Sequence, residues 1–331
     1  MSPAPLVTDL PLRPGSSGES VRDVQRRLTG LGFPIGTDRA GWFGPSTESA
    51  VRRFQHRRGL RVDGICGEQT WSSLVEAGYQ LGDRLVYLRS PMVRGDDVAH
   101  LQRLLGALGF DAGRVDGIFG PASAGALRDF QRNAGLHIDG ICGRATAAEL
   151  LRLGARATDA TTVAELREVE ALRAAPQSLL DRRIAIGESG GLAALARSFA
   201  RELSDAGAVV ALLHHPNEST QAAEANDFKA EVFVGLSLLD HPGRWVAFYS
   251  TEAFESVGGR RLAGAMLLAL PDSLFPSPGE ARGMRVPVLR ETRMPAVVCE
   301  LGPPFVVVEH GAKLAEALTD GLAAWLQSPL E

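Results

Sequence analysis

An internal repeat in the first half of the chain constrains the fold more than any other feature. The segments Leu12–Gly67 and Leu88–Gly143 have the same order of apolar and turn-forming residues. They repeat with a period of 76 residues, which is the separation of Cys66 and Cys142 along the chain. Similarity at a fixed period indicates two copies of one structural unit.

Apolar side chains recur in each copy at the spacing of one helix face. In the first predicted helix of the two copies they are Val21, Val24, Leu28, Val98, Leu101 and Leu105. The last predicted helix of each copy contains one phenylalanine, Phe54 or Phe130. We expect these two side chains to occupy equivalent core positions.

Aspartate–glycine pairs separate the predicted helices. Glycine tolerates a positive φ, so such pairs predict tight turns first and ligand contacts second. The pairs are Asp63-Gly64, Asp116-Gly117 and Asp139-Gly140, and the first copy has Ala40-Gly41 where the second has Asp116-Gly117.

The pattern GxxxxxVxxLQxxLxxLGF, DGxFG, AVxxFQxxxGLxxDGxxG in each copy resembles the peptidoglycan-binding module, a small three-helix domain. This resemblance implies that the copies hold cell-wall fragments, with the Asp and Gly residues of the turns as candidate contacts. The departure at Ala40 makes the second copy the better candidate for binding. The predicted domains are residues 1–79 and 80–154. A helical linker follows at 155–181, where Thr162–Glu165 has capping-box spacing and opens a charged helix, Val163–Arg173.

From Arg182 onward, apolar strands alternate with amphipathic helices, which implies a mostly parallel sheet covered on both faces. The predicted strands are Arg183–Ile186, Val209–Leu213, Val232–Leu238, Trp245–Tyr249, Val286–Leu289 and Ala296–Leu301. The predicted helices are Leu192–Ala206, Ser219–Lys229, Gly258–Leu270 and Ala312–Gln327. The predicted fold class is thus multidomain: two small all-α modules, then an α/β domain at residues 182–331.

The stretch Val286–Pro304, which contains VLR and PAVVCELG, resembles the last motif of the zinc-dependent N-acetylmuramoyl-L-alanine amidases. The resemblance extends over nearly all of residues 182–327. It implies that Glu300 occupies the family's catalytic acid/base position, with Arg290 nearby.

The same resemblance places three positions where relatives have zinc ligands, and each holds a hydroxyl residue here. The first is Ser189, the second Ser219 or Thr220, and the third Ser237. Zinc is bound by thiolate, imidazole or carboxylate groups, and a catalytic site needs three such protein ligands. We therefore expect no metal, no other cofactor and no intact catalytic site.

One alternative stays open, a metal site rebuilt from other residues. His214, His215, Glu218 and His241 follow the ends of predicted strands and could approach one another. Adjacent residues that leave a strand point to opposite faces, which makes it hard for the first two to converge.

Composition excludes some classes of function. The net charge of -4 and the pI of 6.0 argue against nucleic-acid binding. The N-terminus has no signal-peptide pattern, and no apolar run reaches the roughly 18 residues of a membrane-spanning helix, so we expect a cytoplasmic protein. The cysteines, 3 in number and widely spaced, are expected to be reduced thiols.

The whole arrangement resembles a group of actinobacterial regulators that combine peptidoglycan-binding modules with an amidase-like domain. This implies an inactive amidase homologue that controls peptidoglycan precursor synthesis, with the enolpyruvyl transferase MurA as partner and a Ser/Thr protein kinase as the switch. The phosphorylated Thr of that group lies in a C-terminal tail, which we expect to be missing from a sequence that ends at Glu331. Two alternatives are an active, exported amidase and a muramyl-peptide binding protein without a regulatory partner.

Overall fold

A computed structural model describes residues 9–155, 163–252, 254–276 and 278–328. The chain divides into two compact units, Met1–Leu166 and Arg167–Glu331. The predicted capping box at Thr162 lies outside the described residues. The predicted domain limits at 79, 154 and 181 stay predictions.

The first unit contains two three-helix modules, as the repeat predicted. Module 1 consists of α1 (Glu19–Gly30), α2 (Pro45–Arg57) and α3 (Glu68–Glu76), and module 2 of α4 (Asp96–Ala107), α5 (Pro121–Asn133) and α6 (Arg144–Gly154). Phe54 and Phe130 are each 1% exposed. Each makes an edge-on contact within its own module, Phe54 with Phe33 at 5.5 Å between ring centroids and Phe130 with Phe110 at 5.7 Å. Their equivalence is confirmed, but they lie in the middle helix of each module and not in the last.

The second unit is an α/β domain. Its helices are α7 (Val163–Ala174, which belongs to this unit from Arg167), α8 (Ala193–Asp205), α9 (Glu218–Asp227), α10 (Val257–Ala269), α11 (Pro287–Glu291), α12 (Pro304–Glu309) and α13 (Gly311–Gln327). Its strands are β1 (Arg183–Glu188), β2 (Val209–His214), β3 (Val232–Leu238), β4 (Gly243–Thr251), β5 (Phe254–Glu255), β6 (Glu280–Met284) and β7 (Ala296–Gly302).

The seven strands form one sheet in the order β2-β1-β3-β7-β4-β5, with β6 paired to β4. The ladders β2-β1, β1-β3 and β3-β7 are parallel, as is β4-β6, whereas β4 is antiparallel to β7 and to β5. The prediction of a mostly parallel sheet is confirmed.

Alternate residues of the strands separate the two faces of the sheet. One face, here called the α10 face, packs Val234, Val297 and Cys299 against α8, α10 and α13 in the main core. The opposite face, here called the α9 face, carries Gly187, where a Cβ would lie 2.2 Å from Oε1 of Gln221 on α9. Both faces are therefore covered by helices, as expected for a buried parallel sheet.

One predicted strand is wrong. Val286–Leu289 does not form a strand, because Pro287–Glu291 is the short helix α11. Pro287 occupies the first helical turn, where its fixed φ suits a helix and its missing N–H is not needed. The backbone N–H of Arg290 donates to the carbonyl of Val286 at 3.0 Å, which closes the turn. The elements β5, β6 and α12 and a short 3-10 helix at Asp272–Leu274 were also not predicted.

Candidate functional site

Strands β3 and β7 bring Ser237 and Glu300 together. The two residues are directly opposite in the parallel ladder, and Trp245 of β4 is opposite Glu300 on its other side. Opposed residues point to the same face of a sheet. All three are half-buried and form one row on the α9 face, near the carboxyl end of β3.

Trp245 limits the row on the side of β4. The guanidinium of Arg282 lies 4.2 Å from the centroid of its ring, and the ring of His241 lies 5.4 Å away. His241 therefore packs against an aromatic side chain on the far side of Glu300. His241 lies just before β4, away from the ends of β1 and β2 where the other candidate histidines lie.

Ser189 follows β1, and its hydroxyl accepts a hydrogen bond from a side-chain amide. Gln221 of α9, only 3% exposed, donates from Nε2 to Ser189 Oγ at 3.1 Å, to the Glu188 carbonyl at 3.3 Å and to the His215 carbonyl at 2.6 Å. The hydroxyl at this predicted ligand position thus has a fixed protein partner. Sequence reasoning missed Gln221, because a lone glutamine in a helix gives no signal of the strand ends that it joins.

Ser219 and Thr220 lie in the first turn of α9. The side chain of Asn217 caps this helix by accepting from the N–H groups of Ser219 at 2.8 Å and Thr220 at 3.2 Å. Ser219 Oγ donates to Glu291 Oε1 of α11 at 3.2 Å. Ser219 therefore joins α9 to α11.

Arg290 lies on α11 and is 8% exposed. A short loop connects this helix to β7, which begins at Ala296. The side chain of Asn226 of α9 binds the end of α11 and the loop after it. Its Nδ2 donates to the Glu291 carbonyl at 2.9 Å, and its Oδ1 accepts from Arg293 N at 3.0 Å. Arg290 is thus a buried cation on the same side of the sheet as Glu300.

A second polar pair, Glu188 and His214, was not predicted. Glu188 ends β1, is 4% exposed, and its carboxylate contacts Nδ1 of His214, the residue opposite it in β2. Glu188 Oε2 also accepts from the N–H groups of Gly190 at 2.8 Å and Leu192 at 3.3 Å, at the start of α8. Because α8 covers the α10 face, this pair lies apart from the row of Ser237 and Glu300.

The donors at the predicted zinc positions do not fit zinc. Ser189, Ser219 or Thr220, and Ser237 offer only neutral hydroxyl groups, whereas zinc in proteins is held by thiolate, imidazole or carboxylate. The geometry also separates the candidates for a rebuilt site: His214 contacts Glu188, and His215 Nδ1 accepts from Asn217 N at 2.9 Å. Within the described ranges, no group of three His, Cys, Asp or Glu side chains is placed to hold a metal ion.

In the modules, the Asp-Gly turns are organised by buried glutamines, another feature missed from the sequence. Gln102 Oε1 accepts from Gly117 N at 2.8 Å, and its Nε2 donates to Asp116 Oδ1 at 2.9 Å, to the Ile118 carbonyl at 3.1 Å and to Ser123 Oγ at 3.1 Å. We call this set of bonds a glutamine clamp. Its repeated signal in the sequence is the glutamine of each LQ, VQ or FQ pair.

The clamp recurs at the other turns. Gln55 binds Gly64 N and Asp63, Gln131 binds Gly140 N and Asp139, and Gln25 binds Gly41 N and the carbonyl of Trp42. The clamped glycines have φ between 70° and 80°, where a side chain would be strained (Gly41, Gly64, Gly117, Gly140). The predicted turn residues thus have a structural role in each module, and ligand contact by them stays a prediction.

Comparison with known proteins agrees with both halves of this description. A family model described as a putative peptidoglycan binding domain matches residues 17–74 and 94–150. The chain is 33% identical to the N-acetylmuramoyl-L-alanine amidase CwlM of Mycobacterium tuberculosis over 360 residues, covering 95% of this chain and 88% of that protein. It is 34% identical to the N-acetylmuramoyl-L-alanine amidase CwlL of Bacillus licheniformis over 165 residues, covering 43% of this chain and 45% of that protein.

Among solved structures, the amidase Ami1 of Mycobacterium smegmatis matches 46% of this chain and 100% of its own, with 17% identity and a TM-score of 0.41. No helix in the described part of the chain has the length and apolar character needed to cross a membrane. The similarity to CwlM extends over nearly the whole chain and includes the repeated modules. The chain therefore belongs to the N-acetylmuramoyl-L-alanine amidase family, with two peptidoglycan-binding modules ahead of an amidase-like domain.

Proposed function

We propose that this protein is a catalytically inactive member of the amidase family that regulates peptidoglycan precursor synthesis from the cytoplasm. The modules would recognise a muramyl peptide or a precursor that carries one. The amidase-like domain would serve as a binding surface and not as a hydrolase.

One observation carries the proposal, the chemistry at the predicted zinc positions. Without a metal to polarise the amide and to acidify the attacking water, Glu300 would lack the main source of rate enhancement. The amide of Gln221 binds Ser189 Oγ at 3.1 Å, which favours a stable arrangement without an ion at that position.

The partner and the switch are inferred from the family resemblance. We propose MurA as the regulated enzyme and a Ser/Thr protein kinase as the enzyme that changes the regulator's state. A cytoplasmic location would limit cell-wall ligands to precursors on the inner side of the membrane. CwlM and CwlL are named as amidases, and the resemblance places Glu300 at the catalytic position, so an active amidase is the alternative to be tested.

The first experiment tests catalysis. Purified protein would be analysed for zinc by mass spectrometry and incubated with peptidoglycan to measure released stem peptide, with Glu300→Gln as the matched variant. We expect far less than one zinc per chain and no difference between the two proteins. About one tightly held zinc per chain, or peptide release that Glu300→Gln abolishes, would establish the amidase alternative.

The second experiment tests regulation. MurA turnover would be measured with the full-length protein in its phosphorylated and unphosphorylated forms, with the chain that ends at Glu331 and with none of them, and bound proteins would be recovered from lysate. We expect one phosphorylation state to change MurA turnover and MurA to co-purify. If neither state changes turnover and only cell-wall fragments are recovered, the protein is a muramyl-peptide binding protein without this partner.

A further inference from the structure

Strand β2 forms one edge of the seven-stranded sheet. Among the strands that the structure describes, it pairs only with β1. The N–H of Val209 donates to the carbonyl of Arg182, just before β1, at 2.9 Å. Successive residues of a strand direct their backbone groups to opposite sides, so the N–H and C=O groups of Val210 and Leu212 point away from β1. No other segment of the described chain forms a backbone hydrogen bond with these groups.

The outer side of β2 also exposes apolar side chains. Val209 is 45% exposed and Leu212 is 47% exposed. Leu180 is 64% exposed beside the start of β2, where a Cβ on Gly207 would lie 2.8 Å from its Cδ1. The sequence of β2, VVALLH, contains no acidic residue, lysine, arginine, proline or glycine. An uncharged apolar edge strand is a template for pairing with another strand.

The other edges of this sheet are protected against such pairing. Strand β5 has only 2 residues. Strand β6 carries Glu280 and Arg282, whose exposed side chains form an ion pair at 2.9 Å. Short edge strands and charged side chains are two features by which proteins prevent edge-to-edge association. Since β2 has neither feature, its edge is the one that is suited to a partner strand.

Strand β2 is complementary to a second copy of itself in the antiparallel direction. A two-fold axis through Ala211, perpendicular to the sheet, places Val210 opposite the partner's Leu212. These two residues then exchange a pair of backbone hydrogen bonds through groups that point away from β1, and the same pair recurs on the other side of the axis. Ala211 lies opposite the partner's Ala211 at a Cα separation of about 4.5 Å, where side chains approach most closely. It is the smallest residue of β2.

The side chains of this pairing favour a second copy over a different strand. Val210 and Leu212 lie opposite Ile184 and Ile186 of the main core, so both are on the α10 face, and each meets the other across the axis. No charge on β2 repels its copy. A two-fold pair also closes on itself and covers both open edges, whereas β2 against β6 would place the Glu280–Arg282 ion pair in the contact.

We propose that the protein forms a two-fold dimer in which β2 pairs antiparallel with β2 of a second copy, so that the two sheets become continuous. Strands β1 and β3 lie between β2 and β7. At the usual spacing of strands, β2 is roughly 14 Å from Glu300 across the sheet. The dimer therefore leaves the row of Ser237 and Glu300 accessible and does not depend on amidase chemistry.

Sedimentation velocity of the full chain measures the dimer. We expect a monomer–dimer equilibrium with a dissociation constant of about 1–100 µM, as for a small interface. Leu212→Lys should weaken the dimer about tenfold or more, because its ammonium group would lie opposite an apolar side chain at a desolvated edge. Leu268→Lys is the matched control, since Leu268 is 90% exposed on α10, and it should leave the equilibrium unchanged.

Cysteine variants test the register. In Ala211→Cys the new thiols lie directly opposite each other, at a separation that suits a disulfide, so mild oxidation should give a covalent dimer on a non-reducing gel. Val209→Cys is the control, because Val209 and the partner's Val209 are roughly 13 Å apart along the strands in this register. The native cysteines are buried.

Three outcomes would overturn the proposal. The first is a monomer throughout this concentration range, in which case the edge serves another occupant. The second is an equal effect of Leu212→Lys and Leu268→Lys, which would place the dimer contact elsewhere. The third is cross-linking of Val209→Cys as readily as Ala211→Cys, which would contradict the two-fold axis at Ala211.

Discussion

The glutamine clamp of module 2 makes a quantitative prediction about stability. Gln102→Leu keeps the size of the side chain but removes every hydrogen bond that Gln102 makes. The Gly117 N–H then loses its bond to Gln102, whereas the Ile118 carbonyl keeps its bond from Gly120 N at 2.9 Å and Ser123 Oγ keeps its bond to the Ala112 carbonyl at 3.0 Å. Loss of the acceptor of one buried N–H costs about 1–3 kcal/mol, which is the loss of stability that we expect.

Hydrogen exchange measures this loss where fluorescence would not, because module 2 contains no tryptophan. Amide protection in α4 and α5 of the full chain should fall roughly 5-fold to 150-fold, which are the factors that correspond to about 1 and 3 kcal/mol. Gln80→Leu is the control, since Gln80 is exposed in the same unit and should change protection by less than about threefold. Unchanged protection in Gln102→Leu, or an equal fall in both variants, would show that the clamp does not stabilise the module.

Other predictions concern packing, pH and the thiols. Phe54→Ala or Phe130→Ala should each destabilise its module by about 3–5 kcal/mol in denaturant titrations followed by hydrogen exchange, and near-neutral effects at both would contradict the helix assignment. Gln221→Ala should cost about 1–3 kcal/mol for each carbonyl left without a partner, measured by calorimetry against the exposed control Gln177→Ala. The pKa of the Asp139 carboxyl is lowered, chiefly by the hydrogen bond from the Ile141 backbone and next by that from Gln131. This stabilisation is complete above the unfolded pKa and is lost as the pH falls through the lowered one, so Asp139→Asn should be less sensitive to acid than the native chain in calorimetric scans. Burial raises the pKa of each thiol to about 12, so alkylation at pH 8 should require unfolding, and rapid labelling of native protein would contradict this (Cys66, Cys142, Cys299).

The spacing of apolar residues along the chain allowed most of the helices and strands to be predicted. The strand Val232–Leu238 was predicted at the bounds that the structure shows, because a short, mostly apolar segment rich in Val and Phe favours a buried strand. The helix at Pro287–Glu291 was mistaken for a strand because its apolar run is too short to show a helical period. There the preference of proline for the first turn of a helix decided the structure.

The contacts of the candidate site were less predictable, because they join residues far apart in the chain. Gln221 reaches Ser189 across 32 residues, and Gln102 reaches Gly117 across 15. A single sequence shows which residues can donate or accept, but not which strand ends the fold brings to them. The alternation rule was applied to His214 and His215, and their side chains have different partners: His214 contacts Glu188 of β1, and His215 accepts from the N–H of Asn217 at the start of α9.

The loop after β1, where the resemblance places the first zinc position at Ser189, is held by hydrogen bonds from within the chain. One carboxylate oxygen of Glu188 accepts from the N–H groups of Gly190 and Leu192. The side-chain amide of Gln221 donates to the carbonyls of Glu188, at the end of β1, and His215, just after β2. The bonds to Leu192 N and to the Glu188 carbonyl are buried, and the bonds to Gly190 N and to the His215 carbonyl are partly buried. Paired polar groups in such surroundings order the backbone. The loop is therefore ordered by a carboxylate and an amide within the chain, and under the proposed function these bonds would hold it without zinc at Ser189. Stability and metal chemistry would then be separable at this site, which is the physical condition under which a hydrolase fold can be retained for binding alone.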